Sequence, residues 1–255
     1  QHRDVGDVFN YISAMDYGLK RLRTLPLSLR LIREIHGKLL AKVRGFDKQR
    51  GEFRDSQNWI GPEGSKIKDA LFVPPPVSEM HSALNNLEKF VHAKNPMPYL
   101  VRAGIAHAQF ETIHPFVDGN GRVGRLLVTF MMCEHKILHR PLLYLSHYFK
   151  KHRAQYYDRL QAVRDDGEWE KWLKFFLKGV AEVADEATTT ARKIVYLREA
   201  HRKLVTGEMG RSAGRALQLL ESLYRRPVVS VGHIVTQCHI TFPRANKIAK
   251  RFVEM

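Results

Sequence analysis

The run His114-Pro115-Phe116-Val117-Asp118-Gly119-Asn120-Gly121-Arg122-Val123-Gly124-Arg125 gathers an imidazole, a carboxylate, a glycine turn and two guanidiniums. His114 is the side chain suited to take a proton at neutral pH. Asp118 offers a hard oxygen of the kind that holds Mg²⁺ between protein and phosphates. Gly119 and Gly121 free the backbone to turn successive N–H groups toward one point. An apolar-periodic segment starts at once, so the turn sits at a helix N-terminus, where backbone donors and the helix dipole form an anion site. Arg122 and Arg125, three residues apart, share a helix face and can both reach a chain of phosphates. A base beside a phosphate cradle points to phosphoryl or nucleotidyl transfer.

Two other patterns pass through the same residues. Gly119-Asn120-Gly121-Arg122-Val123-Gly124 matches the glycine spacing of a dinucleotide fingerprint, but that fingerprint follows a strand in a βαβ unit. Here a helical stretch and His114-Pro115-Phe116 come first. A Walker loop requires Lys followed by Ser or Thr after its glycines, and neither is present. A plain glycine turn between core helices accounts for the glycines and arginines, but not for His114 and Asp118 beside them.

The segment resembles the signature of the Fic family, H-x-F-x-(D/E)-G-N-G-R-x-x-R, at every defined position. The similarity extends from about Val8 to about Gly179. The resemblance implies a protein adenylyltransferase that moves AMP from ATP to a Ser, Thr or Tyr hydroxyl, self-modification included. It implies Mg²⁺ as cofactor and both ATP and a target protein as partners. His114 would be the catalytic base and Asp118 the metal ligand. Gly119, Asn120, Gly121, Arg122, Val123, Gly124 and Arg125 would hold the nucleotide, with the Asn120 side chain on the α-phosphate and both arginines on the β- and γ-phosphates. Tyr156, Tyr157 and Arg164 would lie near the nucleobase, although Arg164 stands where a relative carries Asn. Another transfer of a phosphate-containing group is a variant on the same scaffold. Many relatives silence themselves with a helix carrying (S/T)-x-x-x-E-(G/N), whose Glu pairs with the second motif arginine, here Arg125. This sequence lacks that hexapeptide, and Asn10-Tyr11 resembles the segment following it, so the helix is expected upstream of Gln1.

The elements that must position these residues read as almost entirely helical. Residues 8–22 and 28–43 form two helices, the second with Leu29, Ile32, Ile35, Leu39 and Val43 on one face and Arg44-Gly45 closing it. Residues 99–113 and 123–138 are apolar nearly all round, the mark of buried helices, so the signature joins two central helices and Phe116 anchors its turn in the core. Between Gly51 and Pro76, short apolar pieces flank Pro62-Glu63-Gly64, the pattern of a β-hairpin. By resemblance this is a flap over the active site that holds a target segment by strand addition, with Trp59, Ile60, Gly61 and Phe72 as its contacts. A helix is expected to about Val163, another from Glu168 with a core stripe of Trp169, Trp172, Phe175 and Phe176, and a separate one over 181–205. Gly207, Gly210 and Gly214 then loosen the chain.

The expected fold is thus all-α: a Fic helical bundle with a small β-hairpin flap, plus a C-terminal three-helix winged-helix-like module. Its expected parts are 1–76 (N-terminal helices and flap), 77–205 (catalytic core and following helices) and 211–255 (a helix-turn-helix or winged-helix-like module that looks truncated). Arg244, Asn246, Lys247, Lys250 and Arg251 decorate the last helix, which suits contact with DNA or a protein. A DNA-binding regulator is therefore a second reading of function.

Composition narrows the classes. The 255 residues are 44% hydrophobic, enough for a sizeable core. The net charge of +16 fits nucleotides, nucleic acid or acidic partners, but its cations are spread along the chain, so it favours no single one. Cys133 and Cys238 are the only cysteines, which fits a reducing cytoplasm rather than a disulfide framework. No apolar run approaches the roughly 20 residues of a membrane span, so no membrane partner is expected. A homodimer is compatible with the sequence. The thirteen histidines show no metal-ligand spacing, and His36, His107 and His147 read as core or surface residues.

Overall fold

The computed structural model describes residues 2–41, 49–62, 64–94 and 96–255, with only the backbone of residues 2–5. Val43, Arg44-Gly45 and Glu63 therefore lie outside the described residues. The elements are α1 (His2–Arg21), α2 (Leu29–Leu39), α3 (Val77–His92), α4 (Tyr99–Ile113), α5 (Asn120–Glu134), α6 (Leu145–Lys151), α7 (Arg153–Asp166), α8 (Trp169–Glu208), α9 (Ala213–Leu223), α10 (Val231–Cys238) and α11 (Phe242–Glu254). Two compact units are distinguished, residues 1–185 and 186–255, and the division falls inside α8.

Local sequence sets most helix ends. The Ser28 hydroxyl accepts from the Leu31 N–H at 3.3 Å and caps α2. Pro76 and Pro98 precede α3 and α4, where a missing N–H costs nothing. Gly167 closes α7 in the left-handed conformation. The expected break near residue 181 is absent, and α8 runs unbroken for 40 residues. Gly179 sits inside it because a Cβ there would stand 2.4 Å from the Tyr148 ring.

In the first unit α4 and α5 are central, as their apolar sequences predict. Phe110, Phe116, Phe130, Trp172 and Phe176 are all fully buried around them. Burial of each such ring contributes about 1.5–3 kcal/mol. The second unit has its own small core of Val205, Ala216, Leu219, Leu220, Ile234, Cys238, Ala245 and Ile248.

The all-α bundle holds, but its expected β parts do not. Among the described residues there is no β-strand. The segment containing Trp59, Ile60, Gly61 and Phe72 is a loop closed by one antiparallel bridge between Ile60 and Phe72. Ile60 N–H donates to Phe72 O at 2.8 Å, and Leu71 and Phe72 donate back to Ile60 O. The ladder cannot extend, because Pro74, Pro75 and Pro76 offer no N–H on one side and a short 3₁₀ turn at Ile67–Asp69 interrupts the other. The second unit likewise has helices joined by turns and no strand among its described residues, so no wing accompanies α9–α11. Among the described residues no helix is long and apolar enough to cross a membrane.

Candidate functional site

The signature turn is built by a sharp reversal between α4 and α5. His114 ends α4 in the left-handed conformation (φ 48°, ψ 58°), and Gly119 starts α5 with φ 81°. At both positions an L-residue with a Cβ is disfavoured, so the surroundings must hold the backbone there. They do so through a dense set of hydrogen bonds. The buried Asn120 side chain accepts from the Phe116 N–H at 2.9 Å and donates to the Phe116 carbonyl at 2.7 Å. Both ends of its amide thus clamp the turn itself. The Phe116 ring is fully buried, stacked on His36 at 3.8 Å.

Three side chains from distant sequence complete the clamp. Buried Arg54 donates from Nε to the His114 carbonyl at 3.1 Å and also bonds the carbonyls of Ser56 and Pro75. Asn58 donates to the Phe116 carbonyl at 3.0 Å. His36 accepts the Gly51 N–H at Nδ1, so its Nε2 carries the proton and donates to the Asp118 carbonyl at 3.1 Å. Burial lowers the His36 pKa to about 4, which keeps this tautomer neutral. Sequence reasoning found none of these roles, since nothing local to Arg54, Asn58 or His36 points to residues 114–118.

The turn leaves a cluster of free donors. Val123 is the first residue of α5 whose N–H finds a backbone acceptor, Gly119 O at 3.0 Å. The N–H groups of Asn120, Gly121 and Arg122 precede it and have no helical partner. The Gly119 N–H is taken by Asp118 Oδ1 at 2.6 Å. Arg122 pairs with Asp118 at 3.1 Å and lies 3.7 Å from Asp7. Val123 and Gly124 are buried on the inner face of α5, and the Gly124 carbonyl bonds His107 at 3.0 Å. Arg122 and Arg125 line a cleft of about 390 Å³ together with Tyr11, Lys150, Arg153, Tyr156 and Tyr157. Its cations make it a natural seat for a polyanion.

His114 is oriented for proton transfer. Its Nδ1 lies 3.4 Å from the Glu111 carbonyl, which can only accept, so Nδ1 carries the hydrogen and Nε2 keeps a free lone pair. Burial first, and then the nearby charges of Arg164 and Arg54, lower its pKa to about 4. The ring is therefore neutral at physiological pH.

Asp118 is one carboxylate, 45% exposed in its side chain. Among the described residues no group of three or more His, Cys, Asp or Glu converges as a protein-only metal cage. The donor set still fits Mg²⁺, an ion usually held by one or two carboxylates plus substrate phosphates and water.

Other expected residues are placed as follows. Tyr156 is buried, and its hydroxyl donates to His107 at 3.0 Å, while Tyr157 is half-exposed with Arg153 over its ring. Arg164 stacks 3.7 Å over the Phe72 ring and donates to the Glu111 carbonyl at 3.2 Å, linking the loop to α4. Trp59 is 38% exposed and bonds Ser65 within its own loop. His107 is wholly buried between the Gly124 carbonyl and the Tyr156 hydroxyl, a core histidine and not a ligand.

Comparison with known proteins agrees with this geometry. Residues 26–132 match the Fic/DOC family. Protein adenylyltransferase Fic of Aedes aegypti is 31% identical over 180 residues, covering 66% of this chain and 32% of that protein. The protein of the same name from Culex quinquefasciatus is 29% identical over 180 residues, with the same coverage. The chain therefore spans about a third of the length of these relatives. Among solved structures, a Fic family protein from Desulfovibrio desulfuricans aligns with TM-score 0.62 at 23% identity, over 75% of this chain and 55% of that one. A Fic domain containing signaling protein from Bacteroides thetaiotaomicron aligns with TM-score 0.52 at 19% identity, over 71% of this chain and 70% of that one. At such identities these structures speak for the fold alone.

Proposed function

We propose that this protein, whose residues 26–132 match the Fic/DOC family, is an adenylyltransferase moving AMP from ATP to a hydroxyl of a protein. The observation that carries the reading is the pairing of a neutral His114, lone pair free at Nε2, with the unpartnered N–H donors at the start of α5. The α-phosphate sits on the N–H groups of Asn120, Gly121 and Arg122, where charge builds as a hydroxyl oxygen attacks phosphorus. His114 Nε2 takes the hydroxyl proton, and Arg122 and Arg125 hold the departing pyrophosphate. Asp118 would hold Mg²⁺, which when bound neutralises phosphate charge. For Arg122 to turn to phosphate it must give up Asp118, whose carboxylate would then be free to hold the ion. Asn120 serves through the clamp on Phe116 that shapes the donors. The loop around Ile60 and Phe72 is the seat for the target segment, docking through the exposed side chains Trp59 and Leu71 rather than through a formed strand. Incubation with ATP labelled separately at the α- and γ-phosphates, followed by mass analysis, tests the reaction. The α-label on protein is expected, and the γ-label instead would make this a kinase.

A second reading rests on the unit 186–255. A cleft of about 530 Å³ there is lined by Arg211, Arg215, Arg244, Lys247 and Arg251, which suits a phosphate backbone. A gel shift of duplex DNA that falls steeply with salt, and is lost on R244A/K247A, is the expected result of DNA binding. No shift at low salt removes it.

A further inference from the structure

One acid, Glu111, stands in the largely buried helix that delivers His114. Glu111 on α4 is 6% exposed, and its Oε1 is buried with no hydrogen-bond partner. A Cβ on Gly124 would lie 2.5 Å from that oxygen and one on Gly121 3.8 Å from it. The same point on Gly121 lies 3.1 Å from Nη1 of Arg125, so carboxyl and guanidinium converge beneath the first turn of α5. Arg125 Nε is likewise buried without a partner. The other charged or titratable groups around Glu111 come from α4 and α7. His114 lies one turn on, Arg164 donates to the Glu111 carbonyl, and the Tyr156 hydroxyl is held by His107. A buried carboxyl and a half-buried guanidinium, each with one buried atom lacking a hydrogen-bond partner and the second lining the cationic cleft, form a couple that a ligand can disturb from outside.

We propose that Glu111 is the internal counterion of Arg125, and that a polyphosphate gripping Arg125 draws a proton from solvent onto the Glu111 carboxylate. The second half rests on the nucleotide reading above, whereas the first does not. Burial raises Glu111 to about 7, with Arg125 and then Arg164 opposing it, so the empty site is part ionised at neutral pH. Phosphate beside Arg125 raises the carboxyl further. A proton then leaves buffer and forms an O–H bond at Glu111, and no other bond changes. The group binds more protons in the liganded state, so phosphate affinity rises as pH falls from the raised bound-state value toward the empty-site value and levels off below it. Glu111 is thus a positioning residue that acts through Arg125, and it tunes nucleotide binding to pH.

The test uses the full chain and Glu111→Gln, which keeps the shape and removes the charge. Inorganic tripolyphosphate and ATP are titrated calorimetrically at pH 7 in two buffers of unlike ionisation enthalpy. The parent should take up a sizeable fraction of a proton beyond that of the probe itself, and the variant none. At pH 8 the variant should bind several-fold more tightly than the parent, with the two converging at pH 6; one unit of pKa shift on binding corresponds to about tenfold. Equal proton uptake in both proteins overturns the linkage. A second measurement needs no ligand: the Glu111 side-chain carbon is titrated by NMR, assigned by its loss in Glu111→Gln. Arg125→Met should raise its midpoint, and an unmoved midpoint overturns the pairing. If the midpoint moves but neither probe binds, the nucleotide reading and the proton linkage fall and the pairing stands.

Discussion

The signature turn and the loop at residues 57–75 lie next to each other, joined by Asn58, Arg54 and Arg164, yet they are held very differently. The turn has a buried aromatic anchor, an amide bonded at both ends and three clamps from distant sequence. Among its described residues the loop has one backbone bridge, between Ile60 and Phe72, and Leu71 is 73% exposed. Strained backbone persists only where its surroundings over-determine it, and a surface that must fit a partner is better lightly held. On the proposed function, chemistry falls to the tightly held region and docking to the lightly held one.

Mutations can break or sharpen that contrast. The largest effect is expected from His114→Ala, which should cut AMP transfer by about 10²–10⁴-fold with nucleotide affinity nearly unchanged, as for loss of a general base. A transfer assay and a binding titration together check it, and parental transfer would remove His114 from the role. Asp118→Ala should lose most Mg²⁺-dependent turnover, on the order of 10²-fold, and titrating activity against Mg²⁺ would expose a residue that does not hold the ion. Asn120→Ala removes both bonds to Phe116 and should cost about 1–3 kcal/mol of stability, read by denaturant unfolding, because it orphans the buried Phe116 N–H while the Phe116 carbonyl keeps only Asn58. A loss near zero would mean that the turn is not over-determined and the contrast fails. The smallest effect on stability is expected from Leu71→Ala, within about 0.5 kcal/mol as for exposed sites, while KM for the protein target rises and KM for ATP does not. Equal rises in both would place the loop in nucleotide binding.

Helices were legible wherever their signals were local. Ser28, Pro76, Pro98 and Gly167 each mark a boundary through a bond or dihedral within a few residues. The loop misled because Trp59-Ile60 and Leu71-Phe72 carry strand-forming residues, while extension of the pairing depended on prolines and a 3₁₀ turn at either side. The long α8 misled because its aromatic stripe gives way to a polar-rich stretch near residue 181, which reads as a new helix, and Gly207 reads as loosening the chain, although α8 runs on through it. Glu111 did leave a trace, as the lone acid of α4, yet its partner could not be named from spacing.

What the sequence determined alone is the order of groups along one turn: His114, then Asp118, the glycines, and two arginines a helical turn apart. Backbone hydrogen bonding at a helix start is local, so the donors and the facing of Arg122 and Arg125 follow from the chain itself. Only the tertiary structure decided what holds Phe116 and the turn around it in place and where Arg125 meets Glu111. The hold on the turn depends on bonds from Arg54, Asn58 and His36 across sixty, fifty-eight and eighty-two residues. The turn between two helices conforms to whatever buries it, and burial is a property of the packed chain.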